Sequence, residues 1–352
     1  MKKWFLLLLC LLMLTGCSHT YLERQIYPIC LSVDVTETAQ YRVGLQAPQS
    51  GSTGNTAYDV LSASGDTPMD ALRVLAASTP YPLNFSQLRL CLVGYDAAST
   101  QPLRPLLRQL LEMPTMRPNA YVMVALGDAQ KVMSAQKPDF SMRLSTHLNL
   151  LFERLHREKT LPDSTLSYCV RELTDGRADL LLCLCAVNAQ LQKQPQQSPA
   201  PDDPMADAQA FAVGEPWTDA LLPDGLIAGM LPRSGQNPVE YLGSAVVSRG
   251  RVSGVLTASE TQLALRVLDE AQIRTAIDGD QIQLQILTPK NSDLEHLHPQ
   301  ILALGQKLQA MGSDVLRFGT DASRQFLLDA EWEAFRFRER YETAELAVGT
   351  EK

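Results

Sequence analysis

The strongest periodicity in the chain lies at 103–111, where Leu103, Leu106, Leu107, Leu110 and Leu111 stand at i, i+3, i+4, i+7 and i+8. That spacing predicts a helix with all five leucines on one face. Apolar runs of strand length flank it, LRLCLV at 88–93 and AYVMVAL at 120–126. Unbroken runs of this kind suit strands covered on both faces. Further strands are expected at 27–35, 41–47 and 57–63, with the Gly/Ser/Thr-rich PQSGSTGN as loop between the last two. A helix is expected from Pro68. Thr67 can cap it, proline suits its first position, Asp70 stands at the capping-box spacing, and Leu72, Leu75 and Ala76 share a face. A third amphipathic helix, 145–156, turns Leu148, Leu151, Phe152 and Leu155 inward. The next two segments, 166–172 and 178–187, are expected as strands joined across the turn signal TDGR.

The pattern breaks in QLQKQPQQSPAPDDPMA, which carries prolines and glutamines without an apolar period. This predicts a linker at 191–207. Beyond it, EYLGSAVVSRGRVSGVLT predicts a hairpin turning at Ser248-Arg249-Gly250-Arg251, and Ser259 is expected to cap a helix through about residue 270. Alternation of Gln with Ile282, Leu284 and Ile286 predicts one half-buried strand before a long helix at 298–311, which carries Ile301, Leu304 and Leu308. A last strand is expected near the C-terminus. The fold class that follows is a mixture of α/β and α+β, several domains each made of a β-sheet packed with helices. The expected division is 1–16 as signal peptide, 17–190 as N-terminal domain, 191–207 as linker and 208–349 as C-terminal region.

The first residues follow a different logic. Lys2 and Lys3 precede an apolar stretch, Trp4 to Leu14, and Leu14-Thr15-Gly16-Cys17 closes it. The stretch is about half the roughly 20 residues a membrane-spanning helix needs, and it has the length of a signal-peptide core. The segment resembles the bacterial lipobox, which implies a diacylglyceryl group on the Cys17 thiol and cleavage before it. Two acyl chains hold a protein stably at about 0.8 kcal/mol per buried methylene, whereas one holds it marginally. The expected partner of Cys17 is therefore membrane lipid, with the body on the outer face of the membrane.

Composition narrows the chemistry. The net charge of −8 argues against nucleic acid, whose phosphates call for clustered Lys and Arg. Of seven cysteines, none forms a C-x-x-C pair, and five remain after Cys10 and Cys17. An odd set does not make a disulfide framework. Cys183 and Cys185 share one face of a strand and are expected in the core. His296 and His298, beside Asp293 and Glu295, are expected as exposed loop residues, since a metal would need a further ligand. Gly225 and Gly229 are expected as turn residues. The Asp202-Asp203 pair lies in the linker, where nothing desolvates it. No G-x-S-x-G, Walker loop, G-x-G-x-x-G or H-E-x-x-H occurs. No catalytic residue and no cofactor or metal site is assigned.

Several stretches together resemble the Ger(x)C spore germination lipoproteins. LNFSQLRLCLVGYD, followed by LRPLLRQLLEMPTMRPNAYVMVALGDAQKVM, is similar to that family's N-terminal domain. There a strand closes on Gly, here Gly94. A helix and a turn with Pro114 and Arg117 follow, and a second strand closes on Gly127. EYLGSAVVSRGRVSGVLTASET resembles the family's hairpin entering a helix, and SDVLRFG at 313–319 resembles the segment after its last long helix. Trp332 and Phe335 match its late W-x-x-F. Two features depart: Ser18-His19 replaces the usual Trp-Asp after the cysteine, and one strand stands between 270 and 298 where the family has several. The resemblance implies a non-enzymatic C subunit of a germinant receptor. It would be anchored through Cys17 at the inner spore membrane and would act with membrane-embedded partner subunits. Composition alone leaves a second class open, a solute-binding lipoprotein of a transporter.

Overall fold

The structure is a computed structural model and describes residues 24–38, 40–49, 58–138, 142–188, 224–231 and 237–351. Residues 1–16, expected as a signal peptide, Cys17, residues 191–207, expected as a linker, and Asp202-Asp203 lie outside the described residues.

An eight-stranded sheet carries the N-terminal half. Its strands are β1 (Cys30–Val35), β2 (Tyr41–Pro48), β3 (Tyr58–Gly65), β4 (Leu90–Gly94), β5 (Tyr121–Ala125), β6 (Leu180–Val187), β7 (Val239–Ser248) and β8 (Arg251–Leu256). They lie in the order β3-β2-β1-β4-β5-β6-β7-β8. The pairs β1–β4, β4–β5 and β5–β6 are parallel, and antiparallel strands extend the sheet at both ends. The helices α1 (Pro68–Ser78), α2 (Tyr95–Thr100), α3 (Leu103–Leu111), α4 (Ala129–Ala135), α5 (Leu144–Arg157) and α6 (Leu166–Asp175) cover the two faces. Alternation along the strands sends Leu31, Val33, Cys91, Val93, Val122 and Val124 to a core shared with α1, α2, α3 and α6. It sends Cys30, Leu90, Leu92, Met123, Cys183 and Cys185 to a core under α4 and α5. There Phe152 sits edge-on between Tyr121 and Tyr241, at 5.2 and 5.1 Å.

A second, three-stranded sheet follows, in the order β11-β10-β9. It contains β9 (Gln272–Asp278), β10 (Gln281–Thr288) and β11 (Glu345–Thr350). The helices α7 (Ala258–Glu270) and α8 (His298–Ala310) pack with it, and α9 (Phe318–Ser323), α10 (Asp329–Phe335) and α11 (Phe337–Tyr341) complete the layer. Its core also takes Leu181 of β6 and Val246 of β7. Leu181 lies on the Cys183 face, so the second layer packs on the same side as α4 and α5, toward the β7 end.

Local chemistry accounts for several boundaries. Thr67 accepts from the Asp70 N–H, and Pro68 opens α1, as expected. The β7–β8 turn places Arg249 and Gly250 at φ of 52° and 78°, the pair of positive values a two-residue turn of this hand requires.

Five expectations need correction. Residues 166–172 are helix, not strand: Leu166, Cys169, Val170 and Leu173 recur at helical spacing. TDGR is the end of α6, where Gly176 takes a left-handed φ of 69°. The cap of α7 is Thr257, in a full capping box with Glu260, and not Ser259. Two strands, not one, stand between 270 and 298; β9 is short, and Thr275 interrupts the row of Ile273 and Ile277 that marks its inner face. Finally, 191–207 does not separate the sheets. β7 and β8 follow it in sequence and yet extend the first sheet by pairing with β6, since the exposed edge of β6 would otherwise leave a buried apolar strand unpaired.

Candidate functional site: the carboxyl edge and the latch between the layers

Open parallel sheets bind ligands just beyond the carboxyl ends of their strands, often at a helix N-terminus. Here the chain fills that place itself. Asp34, near the end of β1, accepts from the N–H groups of Ala129 and Gln130 at 2.8 and 3.1 Å, at the start of α4. Arg42 bridges Asp34 at 3.3 Å and Asp128 at 2.7 Å, and Asp128 caps α4 through the Lys131 N–H. Burial raises the Asp34 carboxyl despite those donors. Burial acts on Asp128 in the same sense, but there the Lys131 N–H and Arg42 prevail and hold it below the usual range. Gly94 ends β4 because a Cβ there would collide with the Asp34 carboxylate. Gly127 takes a φ of 93° just before the α4 cap. The two strand-closing glycines of the sequence pattern thus have different causes: the Asp34 carboxylate leaves no room for a side chain at Gly94, and a left-handed backbone favours glycine at Gly127.

The second constellation joins the layers. Asp314, in the SDVLRFG segment, is fully buried and accepts from the Phe318 and Gly319 N–H groups at 2.9 and 2.6 Å. Its own N–H donates to Asp179 Oδ2 at 2.9 Å, just before β6. Arg338 clasps Asp179 with both terminal nitrogens, at 2.7 and 3.0 Å. Arg317, with a φ of 71°, donates to Tyr168 and Glu172 of α6 at 2.6 and 3.1 Å. Ser313 donates to the Val247 carbonyl, and Tyr341 to the Ser313 carbonyl, at 2.9 Å each. Gly319 must lack a side chain because a Cβ would strike the Arg177 carbonyl. Burial drives the Asp314 carboxyl up to about 8, and neighbouring Asp179 pushes the same way against the Gly319 and Phe318 donors.

Between α5 and α7, above this latch, lies a cleft of about 330 Å³ bordered by His156, Lys159, Tyr168, Leu265, Asp269 and Arg317. Lys159 pairs with Asp269 at 2.7 Å across its mouth.

The residues singled out from the sequence fall elsewhere. Cys17 is outside the described residues. Cys183 and Cys185 are buried with Cys30, Cys91 and Cys169, all as free thiols. His298 bonds the Thr288 hydroxyl at 2.7 Å, and among the described residues no cluster of three or more His, Cys, Asp or Glu could hold a metal. Gly225 and Gly229 have φ of 79° and 90°, as turn residues. Trp332 stacks on Phe335 and Phe337 beside the latch, and Phe326 packs edge-on or tilted against Trp332 and Phe335. Sequence reasoning did not single out Asp34, Asp179, Asp314 or Arg338. The signal available was an aspartate set inside an apolar run, in CLSVDV and again in SDVL.

Residues 18–187 match the family described as spore germination protein N-terminal domain, a stretch that starts next to Cys17 and ends with the last residue of β6. This match defines the class of the N-terminal half: a spore germination domain. A Bacillus subtilis (strain 168) protein named as a putative spore germination protein, YfkR, is 31% identical over 140 residues, which is 36% of this chain and 36% of that protein. The chain therefore matches little more than a third of that relative's length. The crystal structure of the GerBC protein is similar with a TM-score of 0.46 at 14% identity, covering 91% of this chain and 95% of GerBC. Residues 18–187 thus carry a domain similar to the N-terminal domain of spore germination proteins.

Proposed function

We propose that this chain is the C subunit of a germinant receptor. In this reading it is lipid-anchored through Cys17 on the outer face of the inner spore membrane, makes no covalent chemistry, and works with membrane-embedded partner subunits in nutrient-triggered germination. The observation that carries the reading is the family match and where it begins: the germination domain starts at residue 18, directly after the lipobox cysteine. A body whose deepest charges are already bonded to one another suits a protein that acts by surface contact. The other class, a solute-binding lipoprotein, would need an open ligand site at the sheet's carboxyl edge, and Asp34 occupies that helix end.

The test is made in spores whose other germinant receptors have been deleted. Replacing the gene with a Cys17→Ala copy is expected to remove the chain from the inner-membrane fraction and to abolish the nutrient-triggered fall in spore absorbance. Full germination by spores lacking the gene altogether would contradict the receptor role.

A further inference from the structure

The two outer strands of the small sheet end in different ways. The middle of the β9 edge, at Thr275, is closed by the chain itself. The Thr275 N–H donates to Asp321 Oδ2 at 2.7 Å, Gln325 Nε2 donates to the Thr275 carbonyl at 2.7 Å, and the Thr275 hydroxyl donates to the Phe318 carbonyl at 3.0 Å. The other edge is β11. It lies parallel to β10, with Gln283 beside Glu345 and Thr288 beside Thr350. The Glu351 N–H donates to the Thr288 carbonyl at 2.9 Å. In a parallel ladder a residue bonds to the neighbours of its register partner, so alternation along the strand follows. The backbone groups of Glu345, Ala347 and Gly349 face β10, and those of Leu346, Val348 and Thr350 face outward. Among the described residues no group hydrogen-bonds these outward N–H and C=O groups. The strand ELAVGT also lacks the lysines, prolines and bulges that usually blunt an edge.

We propose that β11 pairs antiparallel with β11 of a second copy of this chain, about a two-fold axis at Ala347, joining two three-stranded sheets into one of six. One register of the strand against itself suits a second copy as occupant. With the axis at Ala347, Leu346 and the second copy's Val348 exchange N–H···O bonds, and Ala347 faces its own counterpart. Glu345, the strand's one charged residue, then faces a glycine, Gly349 of the second copy. Moving the axis to Val348 would oppose Glu345 and Glu351, a like-charge pair that destabilises a ladder. Moving it to Leu346 would set Val348 against Ala344, whose carbonyl already accepts from Gln309. The side chains agree with the Ala347 register. Leu346 and Val348 pack into the core under α8, so the pairing makes that apolar row continuous across the axis. Ala347, exposed on the outer face, is small enough for close approach.

The test uses the full chain in mild detergent and three substitutions at exposed Ala347, which supports no core contact. Residues facing one another in a non-hydrogen-bonded antiparallel pair stand about 4.5 Å apart at Cα, within the range a disulfide spans. Ala347→Cys is therefore expected to give a disulfide-linked dimer under mild oxidation, above the wild-type background. Ala347→Glu and Ala347→Lys are each expected to run as monomers in light scattering, and an equimolar mixture of the two is expected to restore the dimer. Absence of the Ala347→Cys cross-link, or a dimer that survives Ala347→Glu, overturns the proposal. Capture of a different polypeptide along β11, with the chain itself monomeric, overturns it equally.

Discussion

Replacing Asp314 by asparagine isolates the latch between the two layers. The Asp314 carboxyl lies at 1% exposure, and burial raises it to about 8, well above the usual carboxylate range. A carboxyl raised in this way binds its proton more tightly in the folded chain than in the unfolded one. Between about pH 4 and pH 8 the folded state holds a proton that the unfolded state has released, so stability falls as pH rises through that window and levels off above it. One proton per molecule corresponds to about 1.4 kcal/mol per pH unit, so the step from pH 5 to pH 7 costs the wild type roughly 2–3 kcal/mol at most through this group. The asparagine side chain keeps an oxygen to accept one of the Phe318 and Gly319 donors and carries no proton to lose. Asp34 is also raised, and Asp128 lowered, but both are common to the two proteins and cancel in the comparison. The assay is urea unfolding from pH 5 to pH 8, followed by far-UV circular dichroism on both proteins. The stability of Asp314→Asn relative to wild type is expected to improve by about 2 kcal/mol between pH 5 and pH 7. A difference that stays flat across this range, or that moves toward the wild type, refutes the reasoning.

Two packing predictions follow from the first sheet. Phe152 is 1% exposed between Tyr121 and Tyr241, so Phe152→Ala is expected to cost about 3–5 kcal/mol, read as a lower denaturation midpoint with unchanged m-value; a loss below about 1 kcal/mol would contradict the core assignment. Gly94→Ala is expected to cost about 1–3 kcal/mol by forcing its Cβ onto the Asp34 carboxylate. If that contact is the cause, the penalty shrinks in an Asp34→Ala background, and a cycle of the four proteins with fully additive losses would show that it is not.

Much of the scaffold was legible because its signals are local. The leucine spacing of α3, the Thr67-Pro68 start of α1 and the unbroken apolar runs of β4, β5 and β6 each fit inside one element. The errors came where two periods compete or where pairing is remote. LSYCVRE is apolar and partly β-branched enough to pass for a strand, and only the packing of Cys169 and Leu173 across a helical turn decides otherwise. β9 is legible mainly through its antiparallel partner β10. The continuation of the first sheet into β7 depends on β6, far back in the sequence. The latch was hidden for the same reason: Asp179 and Arg338 meet only in the folded chain, and Asp314 gives itself away in sequence merely as a charge in an apolar setting. The motif glycines, by contrast, were visible as a pattern while their cause was not, since Gly94 answers to Asp34 and Gly319 to the Arg177 carbonyl.

The measurement closest to the central claim is the mass of the mature N-terminus. The chain purified from its native membranes and analysed by mass spectrometry is expected to begin at Cys17 and to carry a diacylglyceryl adduct on that residue. A retained 1–16 leader, or a chain starting at Cys17 with no lipid attached, would contradict an anchored receptor subunit.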